Sequence, residues 1–303
     1  MKAEPTDTRR PLSDPPSHRH VCGLRGKEQV VRPQALMLTF LGEYLLGRSL
    51  CVYSRSIIDV LARVGVSEQA TRSTLTRMVN ADLLRRQRRG QRMYFGLTER
   101  STQVLEDGQR RLRDTGPVNH TWDGFWTLLG FSLPGSWQRE RHDLRSQLTW
   151  AGFGPLQGGL WIAASARNVD QIVASLGPQA HVRVFHARTS HLTDVNDMIR
   201  DTYDLDGLAA RYQEFRERWE PAASTPATDP LAAKLRLVTD WLQLIRRDPR
   251  LPVQHLPAWW PAITAQDLFH RLDAQLLEPA RAAAISLLET AHDDNEPRQP
   301  KSS

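Results

Sequence analysis

The chain has little cysteine and no long hydrophobic run. Its two cysteines, Cys22 and Cys51, stand 29 positions apart and neither belongs to a C-x-x-C pair, which argues against a disulfide framework and a thiolate zinc site. The longest apolar stretch, 35–46, has 12 residues, contains Glu43 and is too short to span a bilayer. The first residues show no charged-then-apolar leader with a small-residue cleavage site. We therefore expect a protein of the reducing cytoplasm.

Positive charge is unevenly spread along the 303 residues. The balance of Lys and Arg over Asp and Glu is +3 for residues 1–32, +7 for 33–113 and −4 for 114–303, which gives the formal net charge of +6. A local basic excess is typical of a surface that binds phosphates, although a solvated basic face has the same composition. The segment 33–113 is therefore the place to look for a nucleic-acid interface.

Shifts in composition divide the chain, whose length suits two or three domains. Residues 1–32 are rich in proline and polar residues without an apolar period, so we expect a disordered tail there and another at 292–303. The segment 221–230 holds three prolines and few large apolar side chains, which predicts a linker. The folded blocks that remain are 33–115, 116–220 and 231–291.

Apolar periodicity in the first block predicts three helices, a hairpin and a further helix. The expected helix starts are, in order, Pro33, Ser54 or Ser56 as a cap, Ser67 as a cap, and Thr98. Gly65 ends the second helix, and Gly90 with Gln91 forms a tight turn between the two strands. This order is the winged helix-turn-helix pattern.

Two groups of side chains in this block suit DNA. The outward face of the third helix carries side-chain types that bind base edges and phosphates: Gln69, Arg72, Ser73, Thr76 and Arg77. The hairpin, or wing, carries Arg85, Arg86, Arg88, Arg89 and Arg92, with no acid before Glu99. Any single arginine is readily explained as surface decoration, but the two groups together favour binding to double-stranded DNA.

Several motifs carry a family resemblance. They are QATRSTLTRM at 69–78, LLRR at 83–86, YFGLT at 94–98, WDGFWTLL at 122–129, LTWAGFGPL at 148–156, and DPRLP at 248–252 followed by Leu256 and Pro257. In this order they resemble the PaaX family of bacterial transcriptional repressors, over roughly residues 33–290. One departure is that the family's Trp-x-Gly is here Trp259-Trp260-Pro261-Ala262.

The resemblance implies an α+β chain with an N-terminal winged helix, a central ferredoxin-like domain of the Cas2 type and a helical C-terminal domain. It also implies a homodimer that represses aromatic-acid catabolism, of the phenylacetate kind, and leaves DNA on binding an acyl-CoA thioester, typically phenylacetyl-CoA. Because of the departure at Trp259 to Ala262, the resemblance does not define the geometry of this loop or the identity of the effector.

The central block gives a ferredoxin-like pattern without the family. Its predicted elements are a strand at 125–133, a helix capped by Ser136, a hairpin at 152–163 broken by Gly158 and Gly159, a short helix at 169–176 and a strand at 182–187. The order βαββαβ is the ferredoxin-like signature. We expect the block's tryptophans to pack between sheet and helices: Trp122, Trp126, Trp150 and Trp161.

A Cas2-like metal-dependent nuclease is one alternative function, because fold relatives in CRISPR systems include nucleases. Such chemistry needs carboxylates that converge on a divalent ion, and the relatives place an aspartate near the end of the first strand. Here that strand ends at 130–133 without an acid, and Asp123 lies at its other end. The spacings of His181, His186 and His191 rarely converge on a metal, so we expect exposed histidines. We expect no catalytic residues, no metal and no cofactor.

The rest of the chain reads as helical, over 192–219, 231–245 and 268–288, the last of these broken at Pro279. A thioester of coenzyme A needs cations for its phosphates and an apolar slot for its acyl group. The candidate effector residues are Arg246, Arg247, His255, Trp259 and Trp260. A structural turn with packed tryptophans explains the same residues. A constitutive DNA-binding factor without an effector is therefore a further alternative.

Overall fold

The computed structural model describes residues 32–113, 116–117, 119–174 and 181–293. The predicted N-terminal tail lies outside these residues except for Arg32, and the predicted C-terminal tail lies outside them except for His292 and Asp293. Within these ranges, no helix is long and apolar enough to cross a bilayer.

The first block follows the predicted order and adds a strand after its first helix. Its elements are α1 (Pro33–Tyr44), β1 (Leu50–Tyr53), α2 (Ser54–Arg63), α3 (Glu68–Asn80), β2 (Leu84–Arg89), β3 (Arg92–Leu97) and α4 (Glu99–Arg113). Pro33 is the first residue of α1. The lack of an N–H costs no hydrogen bond there, because the first N–H groups of a helix have no acceptor within the helix. The two-residue turn of Gly90 and Gln91 between β2 and β3 is confirmed, with φ +60° at Gly90.

The predicted caps are partly right. The Ser67 hydroxyl accepts a hydrogen bond from the N–H of Ala70 at 3.2 Å, as a cap of α3 should. The predicted cap of α2 by Ser54 or Ser56 is wrong, because the residue before α2 is Tyr53 and no side chain caps the helix. The Ser56 hydroxyl instead accepts from the backbone N–H of Glu289 at 3.0 Å.

The sheet of the first block contains a strand from the far end of the chain. Its order is β2-β3-β1-β8, where β8 (Thr290–His292) pairs antiparallel with β1. The sequence predicts a helical block as far as 291 and a disordered tail from 292. This prediction is wrong for the residues up to Asp293, whose N–H bonds the carbonyl of Ser49 at 2.9 Å.

The central block has the predicted order βαββαβ. It consists of β4 (Trp126–Ser132), α5 (Gln138–Trp150), β5 (Gly154–Pro155), β6 (Leu160–Ala164), α6 (Asp170–Ala174) and β7 (His181–Ala187). The antiparallel sheet has the order β5-β6-β4-β7, with a short 3-10 turn at Gln157–Gly159 between β5 and β6. The predicted Ser136 cap is wrong, because Trp137 precedes α5 and no side chain caps it.

Two of the four tryptophans in this block are core residues. Trp126 and Trp161 are buried, on opposite faces of the sheet and in two separate apolar clusters. Trp122 and Trp150 are only half-buried. The indole ring of Trp150 lies under the guanidinium groups of Arg111 and Arg246, at 4.4 and 4.1 Å from the ring centroid.

The remaining elements are helical. They are α7 (Val195–Thr202), α8 (Leu205–Trp219), a 3-10 turn (Glu220–Ala223), α9 (Pro230–Ile245), a 3-10 turn (Val253–His255) and α10 (Pro261–Leu287). The helix predicted over 192–219 is two helices, α7 and α8. The Asp204 carboxylate caps the start of α8, where it accepts a hydrogen bond from the N–H of Gly207. The predicted break at Pro279 is wrong, since α10 continues through this proline and buries Ala280 and Ala284 beyond it.

The first and last blocks pack directly against each other. The hydroxyls of Thr39 in α1 and Thr239 in α9 are hydrogen-bonded at 2.7 Å, and both side chains are buried. Lys234 in α9 is buried as well, and it pairs with Asp273 in α10 and lies 3.7 Å from Glu43 in α1. Polar contacts between buried groups fix the register of these helices, because an unpaired buried charge is costly.

Candidate nucleic-acid interface

One face of α3 is buried and the other is exposed. Thr71, Leu75 and Met78 point into the core. The side chains predicted to face outward are all exposed: Gln69, Arg72, Ser73, Thr76 and Arg77. The period of 3.6 residues separates the two faces, so this part of the prediction is confirmed. The exposed face presents amide, hydroxyl and guanidinium groups, which are hydrogen-bonding groups suited to DNA.

Arg72 is held by a neighbouring acid on the same helix. Its Nε and Nη2 lie 2.9 and 2.7 Å from Oε1 of Glu68, one turn earlier. The hydrogen bond and the positive charge of Arg72 lower the pKa of the Glu68 carboxyl. Arg55 also approaches Glu68, at 3.7 Å. A base edge that binds Arg72 must therefore compete with an exposed ion pair, which is a weak competitor.

The hairpin sorts its arginines onto two faces, because successive side chains of a strand point to opposite sides. The strand register places Arg85, Gln87, Arg89, Arg92, Tyr94 and Gly96 on one face, which we call the covered face. Arg86 and Arg88 lie on the other face, which we call the open face, and both are exposed. The wing arginines are therefore not equivalent.

The covered face meets the end of the described chain. Arg85 pairs with Asp293, Arg92 pairs with Glu289, and Arg89 donates to the backbone carbonyl of His292. A Cβ on Gly96 would overlap the Asp293 carboxylate, so only glycine permits this approach. Part of the positive charge of the wing is therefore already compensated within the chain.

Glu289 is held by two donors. The Tyr94 hydroxyl donates to its carboxylate at 2.5 Å, and Arg92 is the second donor. These hydrogen bonds lower the pKa of the Glu289 carboxyl. Sequence reasoning missed Glu289 and Asp293, because they lie about 200 residues after the hairpin. The alternation in the segment LRRQRR carried a signal that the arginines divide between two faces, but it says nothing about what covers either face.

The candidate effector residues differ in their surroundings and in their exposure. Arg246 and Arg247 are exposed at the end of α9, and Arg246 lies over the ring of Trp150. His255 packs edge-on against Trp122, with ring centroids 5.2 Å apart. Trp259 is 68% exposed, whereas Trp260 is 5% exposed and belongs to the helical core.

The sheet of the central block does not present the carboxylates of a nuclease. β4 ends at Ser132, which pairs with His181, and Asp123 precedes the strand. His181, His186 and His191 are exposed, as predicted. Among the residues that the structure describes, no three His, Cys, Asp or Glu side chains are grouped closely enough to hold a metal ion.

Three family models match the chain in succession. They are described as PaaX-like protein over residues 32–101, PaaX protein central Cas2-like domain over 119–199, and PaaX-like protein C-terminal domain over 203–285. The chain thus contains a Cas2-like domain in the block where a sheet of the order β5-β6-β4-β7 was found.

Individual relatives agree with these matches. The chain is 25% identical over 266 residues to the transcriptional repressor PaaX of Escherichia coli strain K12, which covers 83% of this chain and 82% of that protein. Its fold resembles that of an uncharacterized protein from Mycobacterium tuberculosis, with a TM-score of 0.55 and 23% identity, over 84% of this chain and 99% of the other. Similarity to a repressor indicates a regulator of transcription rather than an enzyme. On its three successive domain matches, the chain is a member of the PaaX family of transcriptional repressors.

Proposed function

We propose that this protein represses transcription by binding double-stranded DNA through a winged helix-turn-helix formed by α1 to β3. The observation that carries the proposal is the exposed polar face of α3 above a buried apolar face. The order helix, strand, helix, helix, strand, strand supports this assignment. In such a domain α3 enters the major groove and the hairpin lies along the backbone or in the minor groove.

Each group of residues has its own role in this proposal. Base edges and nearby phosphates are bound by Gln69, Arg72, Ser73, Thr76 and Arg77, near the capped end of α3. Phosphates are bound by Arg86 and Arg88 on the open face of the hairpin, because these side chains are already exposed in the protein without DNA. Arg85, Arg89 and Arg92 contribute once their partners in the C-terminal segment give way.

The protein acts as a homodimer in the cytoplasm. Two copies suit an operator with two half-sites, because two recognition helices then read the same sequence twice. The edge strand β7 supports a dimer through the central block. It exposes Val184 at 39% and Phe185 at 54%, and an edge strand with apolar side chains is a natural pairing surface.

The repressor senses an acyl-CoA thioester, of which phenylacetyl-CoA is the first to test, and thereby controls the catabolism of an aromatic acid. A ligand that releases DNA must bind the free protein better than the DNA-bound one, typically by about 1–3 kcal/mol. The exposed cations Arg246 and Arg247 bind its phosphates, and the apolar side chains near His255, Trp259 and Trp260 receive its acyl group.

The DNA-binding part is tested by selection from a pool of random duplexes with the purified full-length chain. Enrichment of one sequence, with affinity that falls as salt rises, is the expected result. A pool that remains random after repeated rounds would overturn the proposal. The same selected duplex then serves for repression of a reporter in cells.

The sensing part is tested by titrating thioesters into the complex with the selected duplex. Phenylacetyl-CoA should dissociate the complex, whereas phenylacetate should not, because only the thioester carries phosphates. Replacing Arg246 and Arg247 together by Gln should weaken release without changing DNA affinity. If no thioester releases the DNA, the protein is a constitutive DNA-binding factor.

A further inference from the structure

A cavity of about 280 Å³ lies where four parts of the chain meet. Its walls come from α4, from the end of α5 and the turn that follows it, from the loop before α6, and from the segment after α9. The arginines that line it are Arg110, Arg111, Arg167 and Arg250, against two acids, Asp107 and Asp248. None of these residues belongs to the candidate DNA interface or to the candidate effector residues.

The two acids are already engaged. Asp107 accepts from Nε of Arg111 at 2.9 Å and lies 3.6 Å from Arg110. Asp248 is buried and accepts from the Tyr212 hydroxyl at 2.5 Å. It also accepts from the backbone N–H of Arg250 at 2.6 Å. The two acids therefore compensate only part of the positive charge in the walls, Asp107 mainly that of Arg111 and Asp248 that of Arg250.

Arg167 and Arg250 turn their guanidinium groups to backbone carbonyls rather than to carboxylates. Nε of Arg167 donates to the carbonyl of Ala164 at 3.0 Å, and within the described ranges no carboxylate forms an ion pair with Arg167. Nε of Arg250 donates to the carbonyl of Gly116 at 3.2 Å. Each of these guanidinium groups retains N–H donors for a further acceptor.

The arginines destabilise one another's charge. Burial first, and then the charges of Arg167 and Arg111, lowers the pKa of Arg250 to about 10, and the charge of Asp248 opposes this shift. Burial and the charge of Arg111 also lower the pKa of Arg167. Arg246 lies over the ring of Trp150, and its pKa is lowered by burial and by surrounding arginines. Cations that are partly buried and only partly compensated by acids are costly, and a bound anion among them lowers that cost.

The walls are held in place by tight backbone contacts. Gly152 has φ +85°, and a Cβ there would lie 3.1 Å from the carbonyl oxygen of Pro249. Arg250 itself has φ +57°, a left-handed conformation that is unfavourable for a residue with a side chain. Such conformations persist where the surroundings enforce them, and they are concentrated at binding sites.

We propose that this arginine-lined cavity is a binding site for a diphosphate group. Guanidinium forks bind phosphate oxygens in pairs, and a diphosphate supplies enough oxygens and charge for several arginines at once. The volume suits this group with little of the molecule that carries it, since pockets for whole drug-sized ligands measure about 300–1,000 Å³.

Occupation of the cavity would act on the hairpin. Asp107, Arg110 and Arg111 belong to α4, which follows β3 after Thr98 alone, and the Thr98 hydroxyl accepts from the N–H of Ser101 at 3.2 Å. A diphosphate that draws Arg110 and Arg111 towards Arg167 and Arg250 shifts the helix attached to the wing. This consequence rests on the proposed function, whereas binding itself does not.

The test is calorimetric titration of the full-length protein with inorganic pyrophosphate in the absence of DNA. We expect one site per chain, and at least a tenfold loss of affinity in Arg167→Gln and in Arg250→Gln. Arg167→Lys should also weaken binding, because it keeps the charge but loses the fork. The matched control is Arg139→Gln, which changes a 91% exposed arginine on α5 and should bind as the wild type does.

Arg110→Gln serves if the half-buried arginines are needed for folding, because the Arg110 side chain is 65% exposed. It should weaken binding at least threefold. ADP and coenzyme A, titrated in parallel, identify which carrier of the diphosphate binds most tightly. The proposal is overturned if none of the three probes binds, or if every variant binds them as the wild type does. DNA binding is measured separately, so failure of this site leaves the proposed repressor intact.

Discussion

Arg85 in β2 donates from Nε to the carboxylate of Asp293 at 3.1 Å, across 208 positions of the chain. Asp293 is 4% exposed, and its backbone N–H bonds Ser49. The end of the described chain is thus part of the sheet that carries the wing. On the proposed function, DNA and this C-terminal segment compete for the same arginines, because a guanidinium charge that a carboxylate already compensates attracts a phosphate less strongly.

Removing the acids should therefore strengthen DNA binding. In the double variant Glu289→Gln and Asp293→Asn, Arg85 and Arg92 lose their carboxylate partners. The slope of log affinity against log salt should become steeper by about 0.9 for each arginine that gains a phosphate. Salt-dependent fluorescence anisotropy measures this slope. Glu278→Gln, on the 75% exposed Glu278 of α10, is the control. A slope equal to that of the wild type would show that the segment does not restrain the wing.

The two faces of the hairpin should differ in their response to mutation. Replacing Arg86 and Arg88 by Ala should flatten the salt slope by about 0.9 for each phosphate that the wing no longer binds, on specific and random duplexes alike. Replacing Arg85 and Arg92 by Ala should change the slope less, because these side chains are paired within the protein. Equal effects of the two pairs would contradict the division into a covered and an open face.

Asp248 should make stability depend on pH. Burial raises the pKa of its carboxyl from 3.8 to about 6, so the folded protein retains this proton at pH values where the unfolded chain has lost it. Its contribution to stability is therefore largest below pH 4 and declines as pH rises through 6. Between pH 5 and 7, the free energy of unfolding of the wild type should fall by ~1 kcal/mol relative to Asp248→Asn.

Urea unfolding at a series of pH values provides this measurement. The control is Asp206→Asn, because Asp206 is exposed on α8. Its pH profile should run parallel to that of the wild type. A parallel profile for Asp248→Asn as well would mean that the buried carboxyl does not hold its proton in this range.

Local signals in the sequence are enough for much of the fold. The Ser67 cap, the turn at Gly90 and the element order of the central block follow from residues close in the chain. The errors arise where contacts between distant parts of the chain decide the local structure. Ser56 looks like a cap but bonds Glu289, and Pro279 looks like a break but lies in a helix that packs on both sides of it.

The candidate interface also has one part that was predictable from the sequence and one that was not. The exposed face of α3 was predictable, because helical periodicity alone separates Arg72 from Leu75. The contact of the C-terminal segment with the wing was not predictable, since nothing near Arg85 in the sequence indicates that Asp293 will reach it. The cavity was missed for a related reason. Its arginines are drawn from α4, from the loop before α6 and from the turn after α9, and become a cluster only in three dimensions.

The central claim, that α3 reads DNA sequence, is tested most directly by Arg72→Ala on two duplexes. One is the selected operator and the other is a random duplex of equal length, with affinities measured by anisotropy at one salt concentration. The account predicts a loss of about 1–3 kcal/mol on the operator, which is roughly 5- to 150-fold, and much less on the random duplex. Arg139→Ala should leave both affinities unchanged. Equal losses of Arg72→Ala on both duplexes would contradict the claim, because Arg72 would then contact only the DNA backbone.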